Sequence, residues 1–195
     1  MTTFLDLCRA AVGASHVLDT DTDMHPFLTD WRGRFHGRAQ AVIRPGSTQE
    51  VMQIVRLCQQ FRVPVVPQGG NTGLVAGAVP DGTARSIVLV LTRLNKIRNI
   101  DVINNTMTVE AGCILQTVQE AAAAALRLFP LSLAAEGSCT IGGNLATMPV
   151  AQRYCVTAIC ANFVLGWKWS LRKVRYGLVY VGCARIILVT TCVTC

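Results

Sequence analysis

The chain has 195 residues, of which 51% are apolar and 15% charged, and this composition excludes an intrinsically disordered protein. Its formal net charge of +7 would suggest a nucleic acid or an acidic surface as a partner. However, all 11 acidic residues precede Met148, whereas six of the 18 basic residues follow Thr147. The excess charge therefore belongs to the last segment alone, and we expect no nucleic-acid partner.

The sequence shows neither a membrane-spanning segment nor a secretory signal. The longest uncharged apolar stretch, near Ala158–Trp167, is too short to span a bilayer. The opening sequence carries Asp6 and lacks the basic start of a secretory signal. We expect no membrane span and a cytoplasmic location.

Hydrophobic periodicity predicts alternating helices and strands. A short helix is expected over Phe4–Val12, with Thr2 or Thr3 as its N-cap, and an amphipathic helix over Thr48–Phe61, where Ser47 and Glu50 form a capping box. After the first of these helices, the chain is expected to be polar and irregular through Asp30. The other predicted elements are strands at Ala41–Ile43, Val63–Val66 and Ser86–Leu91, a hairpin of Ile97–Val102 with Met107–Val109, and a helix over Ile114–Leu128. This mixture predicts an α+β domain.

The strand at Val63–Val66 leads into a glycine-rich loop, PQGGNTGLVAG, at Pro67–Gly77. Glycines after a strand expose backbone N–H groups and allow an anionic ligand to approach closely. The loop is neither the dinucleotide GxGxxG motif nor a P-loop with its Lys-Ser/Thr pair. By itself it is equally consistent with a plain turn.

A second glycine-rich stretch, EGSCTIGGNLAT, occupies Glu136–Thr147. It again offers small residues and backbone donors. Two such loops, about 70 residues apart, suit a long diphosphate ligand better than two unrelated turns do. The residues alone do not identify this ligand.

Other reactive side chains are best explained structurally. The three histidines share no metal-ligand spacing, and Cys192 and Cys195 form a single CxxC without a second pair, so we expect no metal site. Arg32 and Arg34 are compatible either with a ligand phosphate or with simple solvation. Three further cysteines are expected to be small core residues: Cys8, Cys58 and Cys113.

Four segments in order resemble the FAD-linked oxidase family, whose PCMH-type domain is also found in vanillyl-alcohol oxidase. They are Val42–Pro45, Pro67–Gly77, Glu110–Cys113 and Ala134–Thr147, and together they cover about Ala41 to Thr147. The sequence is most similar to the branch that contains D-2-hydroxyglutarate dehydrogenase, D-lactate dehydrogenase and the glycolate oxidase FAD subunit. The resemblance implies two α/β subdomains with the flavin between them.

The resemblance also implies which residues contact FAD. Backbone N–H groups of the first loop would cradle the pyrophosphate, and the second stretch would line the other side of the flavin. Because Asn71 stands where covalent flavoproteins of the family often have histidine, the FAD is expected to be non-covalent. The implied cofactor-binding residues are Pro67, Gly69, Gly70, Asn71, Thr72, Gly73, Leu74, Gly137, Ser138, Ile141, Gly142 and Asn144.

The implied function is flavin-dependent oxidation of a small D-2-hydroxy acid. In the family, the groups that hold the substrate and act as base lie in a C-terminal substrate domain, so no catalytic residue is assigned in this chain. The alternatives are a truncated gene product without activity and a small basic binding protein.

Residues 148–195 depart abruptly from the family pattern, which continues after GGNLAT with NAGG. Codons that encode Met148–Thr157 can be read one base earlier as NAGGTAVLRY. The codons of Trp167–Ser170 and Ile187–Cys195 likewise allow the family's segments GLEVV and NTGYDL in that same frame. We therefore interpret the segment as translated from a shifted frame, the alternative being a genuinely divergent tail.

The chain is accordingly divided into three parts. Residues 1–40 form a lead-in, 41–147 a partial PCMH-type FAD-binding domain, and 148–195 the frameshifted tail.

Overall fold

The computed structural model describes residues 2–147 and, as backbone only, the strands at 164–170, 176–180 and 186–189. These residues form a mixed α+β fold with two sheets, as the sequence predicts. The helices are α1 (Phe4–Val12), α2 (Asp21–Met24), α3 (Thr48–Phe61), α4 (Leu115–Ala124) and α5 (Ile141–Thr147). The strands are β1 (Val17–Leu18), β2 (Ala41–Ile43), β3 (Val65–Gln68), β4 (Ile87–Val90), β5 (Ile97–Asp101), β6 (Thr106–Glu110), β7 (Val164–Ser170), β8 (Tyr176–Tyr180) and β9 (Ile186–Val189).

The first sheet has the strand order β1-β2-β4-β3. Strands β2, β4 and β3 run parallel, and β1 pairs antiparallel with β2. The register places Gln68 beside Val90 and Val66 beside Val88. The glycine-rich loop therefore begins at the carboxyl edge of this sheet, where ligands commonly bind in parallel α/β structures.

Helices α1 and α3 cover one face of the first sheet. Both predicted caps are confirmed: Thr3 Oγ1 accepts the Asp6 N–H at 3.2 Å, and Ser47 Oγ accepts the Glu50 N–H at 3.2 Å. The core on this face includes Ile54, Ile87 and Leu89. The opposite face packs against Leu18, Met24, Phe27 and Leu28. The expectation of an irregular chain up to Asp30 is corrected, because β1 and α2 lie in this part.

The second sheet has the order β5-β6-β9-β7-β8. The predicted hairpin is confirmed as antiparallel β5 and β6, and β6 also pairs in parallel with β9. A second core joins β6 to α4.

Helix α4 is shorter than predicted. It ends at Ala124, and Leu126 has a left-handed φ of 56° that a continuing helix does not allow. Arg127 then turns back to the hairpin, where its Nη2 donates to the Val102 carbonyl at 3.1 Å. The alanine-rich pattern carries no stop signal, so tertiary contacts set this boundary.

The predicted core cysteines are buried. Desolvation raises the pKa of the Cys8 thiol to about 11 and that of Cys58 to about 12, so both remain protonated small apolar residues near neutral pH. Cys113 and Cys139 are buried in the second core. The CxxC at Cys192 and Cys195 lies outside the described residues.

Candidate cofactor site

The loop over 69–77 presents a row of free backbone donors. Within the described part of the chain, none of the backbone N–H groups from Gly69 to Val75 donates a hydrogen bond. Asn71 and Ala76 have left-handed φ values of 51° and 57°, which turn the peptide groups between them. No acidic residue occurs in Pro67–Gly77. The loop therefore offers hydrogen-bond donors to an anionic ligand and has no negative charge that would repel it.

Two side-chain carboxamides hydrogen-bond this loop to the segment 27–29. Asn71 Nδ2 donates to the Thr29 carbonyl at 2.8 Å, and Gln68 Nε2 donates to the Phe27 carbonyl at 2.9 Å and to the Ala78 carbonyl at 2.8 Å. The Asn71 side chain is thus engaged in a structural bond. Gln68 was not among the predicted site residues, because a glutamine after a strand gives no signal of its partners.

The second stretch caps helix α4 with its carbonyl groups. The Leu115 N–H donates to the Cys139 carbonyl and the Gln116 N–H to the Glu136 carbonyl, each at 3.1 Å. Two of the N–H groups at the start of α4 are therefore satisfied by carbonyls of the second stretch.

The second stretch also offers fewer free donors than its composition suggested. The N–H groups of Ile141 and Gly142 donate to the carbonyls of Cys113 and Ala111 at 2.9 and 2.8 Å. Those of Ser138 and Asn144 donate to the carbonyls of Ala135 and Thr140, each at 2.9 Å. Our expectation of a second row of backbone donors is corrected accordingly. The physical reason is that this stretch must satisfy its own buried backbone where it packs on β6 and α4.

The two glycine-rich segments nevertheless meet. A Cβ added to Gly69 would lie 2.2 Å from Thr140 Oγ1, and one added to Gly70 would lie 1.9 Å from the Ser138 carbonyl oxygen. Both separations are far below van der Waals contact. A side chain at Gly70 would require the backbone to move, and one at Gly69 would require the Thr140 hydroxyl to move. The fold thus brings together two segments that the sequence could place only as separate loops.

The half-buried carboxylate of Glu136 holds the start of the second stretch in place. Hydrogen bonds from Ser132, then Gln119 and the Leu133 N–H, hold the pKa of this carboxyl below its usual range. Because Gln119 lies on α4, the carboxylate joins that helix to the start of the stretch.

The structure also explains the glycine of the motif Glu110–Cys113. Gly112 packs against the Leu91 carbonyl oxygen, and a Cβ at this position would stand 2.2 Å from that atom.

A loop over 29–36, here termed the Asp30 loop, lies next to Asn71. The Asp30 carboxylate accepts the N–H groups of Phe35 and Arg34, each at 2.7 Å, and of Arg32 at 3.3 Å. The Phe35 N–H is the largest cause of a lowered pKa for Asp30. The side chains of Arg32 and Arg34 are exposed and make no hydrogen bond or ion pair with the described residues.

The described residues contain no group of three or more histidine, cysteine or acidic side chains that could hold a metal ion. His36 Nδ1 instead lies 3.1 Å from Thr29 Oγ1, within the Asp30 loop. The unpaired N–H groups of the first loop are donors that an anion can accept. Among the described residues, we assign no acid–base pair for proton transfer at the junction of the two glycine-rich segments.

Comparison with known families agrees with this geometry. Residues 39–173 match the family model described as an FAD binding domain, a range that ends within the segment 148–195.

None of the helices that the structure describes has the length and the apolar character needed to span a membrane.

Curated relatives include D-2-hydroxyglutarate dehydrogenases. The mitochondrial enzyme of Arabidopsis thaliana is 38% identical over 139 residues, covering 71% of this chain and 24% of the relative. The enzyme of Xanthomonas citri is 40% identical over 139 residues, covering 71% and 29%. The chain thus spans about a quarter to three tenths of the length of these relatives. Because several relatives, among them the Arabidopsis enzyme, are named mitochondrial, the cytoplasmic location stays a prediction.

Solved structures share the fold. An alkyldihydroxyacetonephosphate synthase superposes with a TM-score of 0.76 at 18% identity, covering 91% of this chain and 34% of that one. The 4-ethylphenol oxidase of Gulosibacter chungangensis gives a TM-score of 0.72 at 22% identity, covering 90% and 34%. The architecture is therefore that of PCMH-type FAD oxidases, as the sequence predicted.

Proposed function

From the premise that this chain belongs to the FAD-binding domain family, we propose that it is the FAD-binding part of a flavin-dependent dehydrogenase that oxidises a small D-2-hydroxy acid. The observation that carries the cofactor assignment is the row of N–H groups at 69–75 that donate to no other described residue. The substrate class is supported by the names of relatives, among them D-2-hydroxyglutarate dehydrogenases and a putative D-lactate dehydrogenase.

The first loop is the proposed pyrophosphate site. Its backbone N–H groups from Gly69 to Leu74 would hold the diphosphate, because they are unpaired among the described residues and no carboxylate occurs in the loop. Pro67, the residue before the last of β3, is proposed to belong to the same site. The other wall would be formed by the second stretch, whose proposed contact residues are Gly137, Ser138, Ile141, Gly142 and Asn144.

The FAD is proposed to be non-covalent. Asn71 occupies the position that could carry a flavin link, and its carboxamide is not a nucleophile. The side chain is moreover turned towards the Thr29 carbonyl, 2.8 Å away.

When bound, the flavin would supply the redox chemistry by accepting a hydride from the α-carbon of the hydroxy acid. The residues of this chain would bind and orient the cofactor. Because the matched region covers 24–29% of these two relatives, we propose that the groups that hold the substrate lie in other parts of such enzymes.

The cofactor assignment can be tested by titrating the purified 195-residue chain with FAD and, separately, with riboflavin, which lacks the diphosphate. We expect FAD to bind with quenched flavin fluorescence, ADP to compete with it, and riboflavin to bind much more weakly. A chain that is folded by circular dichroism but binds riboflavin as well as FAD would contradict a pyrophosphate site.

One observation favours a second candidate. The segment 148–195 has six basic residues and no acidic one, as a shifted reading frame or a basic binding segment would have. On that alternative the chain is a truncated product without enzymatic activity or a small basic binding protein. Salt-sensitive retention on an anionic resin together with no FAD binding would support it.

A further inference from the structure

We infer that Gln68 is a positioning residue of the cofactor site, whose side-chain amide closes the glycine-rich loop and holds the segment 27–29 beside it. This inference rests on the proposed function, because it assigns Gln68 a role in FAD binding.

Gln68 is a polar residue on an apolar face. It is the last residue of β3, it is 2% exposed, and it lies in register with Val90 on the neighbouring strand. The same face is covered by the segment that contains Met24 and Phe27. An amide in these surroundings is costly unless its hydrogens are bonded, so its partners fix where it can lie.

Both partners of this amide are backbone carbonyl groups that matter to the loop. One hydrogen bond reaches Ala78, the residue that follows the glycine-rich loop, and so joins the two ends of that loop across nine residues, 69–77. The other reaches Phe27, two residues before Thr29, which itself accepts from Asn71. A single side chain therefore fixes the loop at its base and against the N-terminal segment.

This closure has a consequence for ligand binding. Within the described residues the loop has few other hydrogen bonds, among them the Asn71 bond to Thr29 and the Val79 N–H bond to the Ala76 carbonyl. Free N–H groups bind an anion tightly only when they are already held in place, since otherwise binding must order them. We expect the loss of the two Gln68 bonds to weaken FAD binding about tenfold or more.

The test compares variants of nearly equal volume. Gln68→Met removes both donors, and Gln68→Glu removes them and adds a charge. Gln40→Met is the matched control, because Gln40 Nε2 also donates to a backbone carbonyl, that of Arg85 at 2.6 Å, but at the opposite edge of the same sheet.

Two measurements are made on each chain: the FAD dissociation constant, and amide hydrogen exchange in the absence of FAD. Gln68→Met should raise the dissociation constant about tenfold or more and speed exchange selectively in 69–78 and 27–30. Gln40→Met should change neither. Equal FAD affinity of Gln68→Met and the wild type would overturn the positioning role, as would faster exchange throughout the sheet without a selective effect.

A measurement on the wild type covers the case in which the Gln68 variants do not fold. In the ¹⁵N-labelled chain, the side-chain amide hydrogens of Gln68 should exchange with solvent much more slowly than those of Gln40. Equal rates would overturn the inference. Failure of the wild-type chain to bind FAD would overturn the proposed function, while protected Gln68 hydrogens would still support the closure of the loop.

Discussion

The α-carbon of Gly70 lies directly against the carbonyl oxygen of Ser138, so close that a Cβ on Gly70 would stand 1.9 Å from that oxygen. This contact joins the two glycine-rich segments, which are far apart in the chain. It is made between backbone atoms, so neither side can give way by rotating a side chain.

Gly70→Ala should therefore destabilise the fold and weaken FAD binding together. The backbone of one segment must move, and overpacking of this kind costs about 1–3 kcal/mol. Urea unfolding and FAD titration of the variant measure both effects. A variant with wild-type stability and affinity would show that the segments are not in contact.

Gly73→Ala should weaken FAD binding without destabilising the fold. A Cβ at Gly73 meets no atom within 4 Å, and the residue has no left-handed φ, so the free energy of unfolding should change by less than about 1 kcal/mol. If Gly73 lies against the pyrophosphate, the added methyl group will nevertheless weaken FAD binding. Gly82→Ala, where a Cβ is equally unobstructed, should change neither quantity.

The contact between Gly69 and Thr140 should appear as coupling in a double-mutant cycle. A Cβ on Gly69 would lie 2.2 Å from Thr140 Oγ1 but 3.4 Å from Thr140 Cβ, so removing the hydroxyl removes the severe clash. Gly69→Ala should be destabilising alone and markedly less so in combination with Thr140→Ala. Additive free energies of unfolding would contradict direct contact.

The ion pair of Arg98 and Glu110 should matter more than an exposed pair. The Glu110 side chain is 5% exposed and accepts from Arg98 Nη2 at 2.6 Å and from the Lys96 N–H at 2.9 Å. Glu110→Ala leaves that N–H without its partner, which costs about 1–3 kcal/mol. Asp19→Asn, which weakens the exposed pair with Arg9, should cost less than about 1 kcal/mol. Urea unfolding of both variants gives the comparison.

The Asp30 loop should lose stability in acid. The pKa of Asp30 is lowered chiefly by the Phe35 N–H, so the carboxylate stabilises the folded state above its unfolded pKa near 3.8. That contribution is lost as the pH falls below about 4 through the lower folded pKa. Asp30→Asn should reduce the pH dependence of the urea midpoint between about pH 2 and 5. The exposed Asp21→Asn variant serves as the control.

The reading-frame interpretation of 148–195 is tested at the DNA level. Sequencing the gene across codons 145–150 should reveal one missing base after the Thr147 codon when it is compared with close relatives. An intact frame shared with those relatives would contradict the interpretation and would leave the divergent tail as the explanation for the basic segment.

Much of the architecture follows from local sequence. Apolar periodicity and the caps at Thr3 and Ser47 place α1 and α3 correctly, because a helix start depends on hydrogen bonds between residues three apart. The β5–β6 hairpin is local for the same reason. Helix α4, by contrast, ends earlier than its alanine-rich pattern predicts, since its end depends on the Arg127 contact with the hairpin.

The sequence by itself determined that this protein has two glycine-rich segments and that the first carries no acidic residue, because glycine content and charge are local properties. Only the tertiary structure decided how they are used. Among the described residues, the first segment keeps its N–H groups from Gly69 to Val75 free, while the second satisfies most of its own. The side chains of Gln68 and Asn71 hydrogen-bond the first segment to residues 27–29. Those partners are 41 and 42 residues away, and no local pattern encodes a hydrogen bond between positions so far apart.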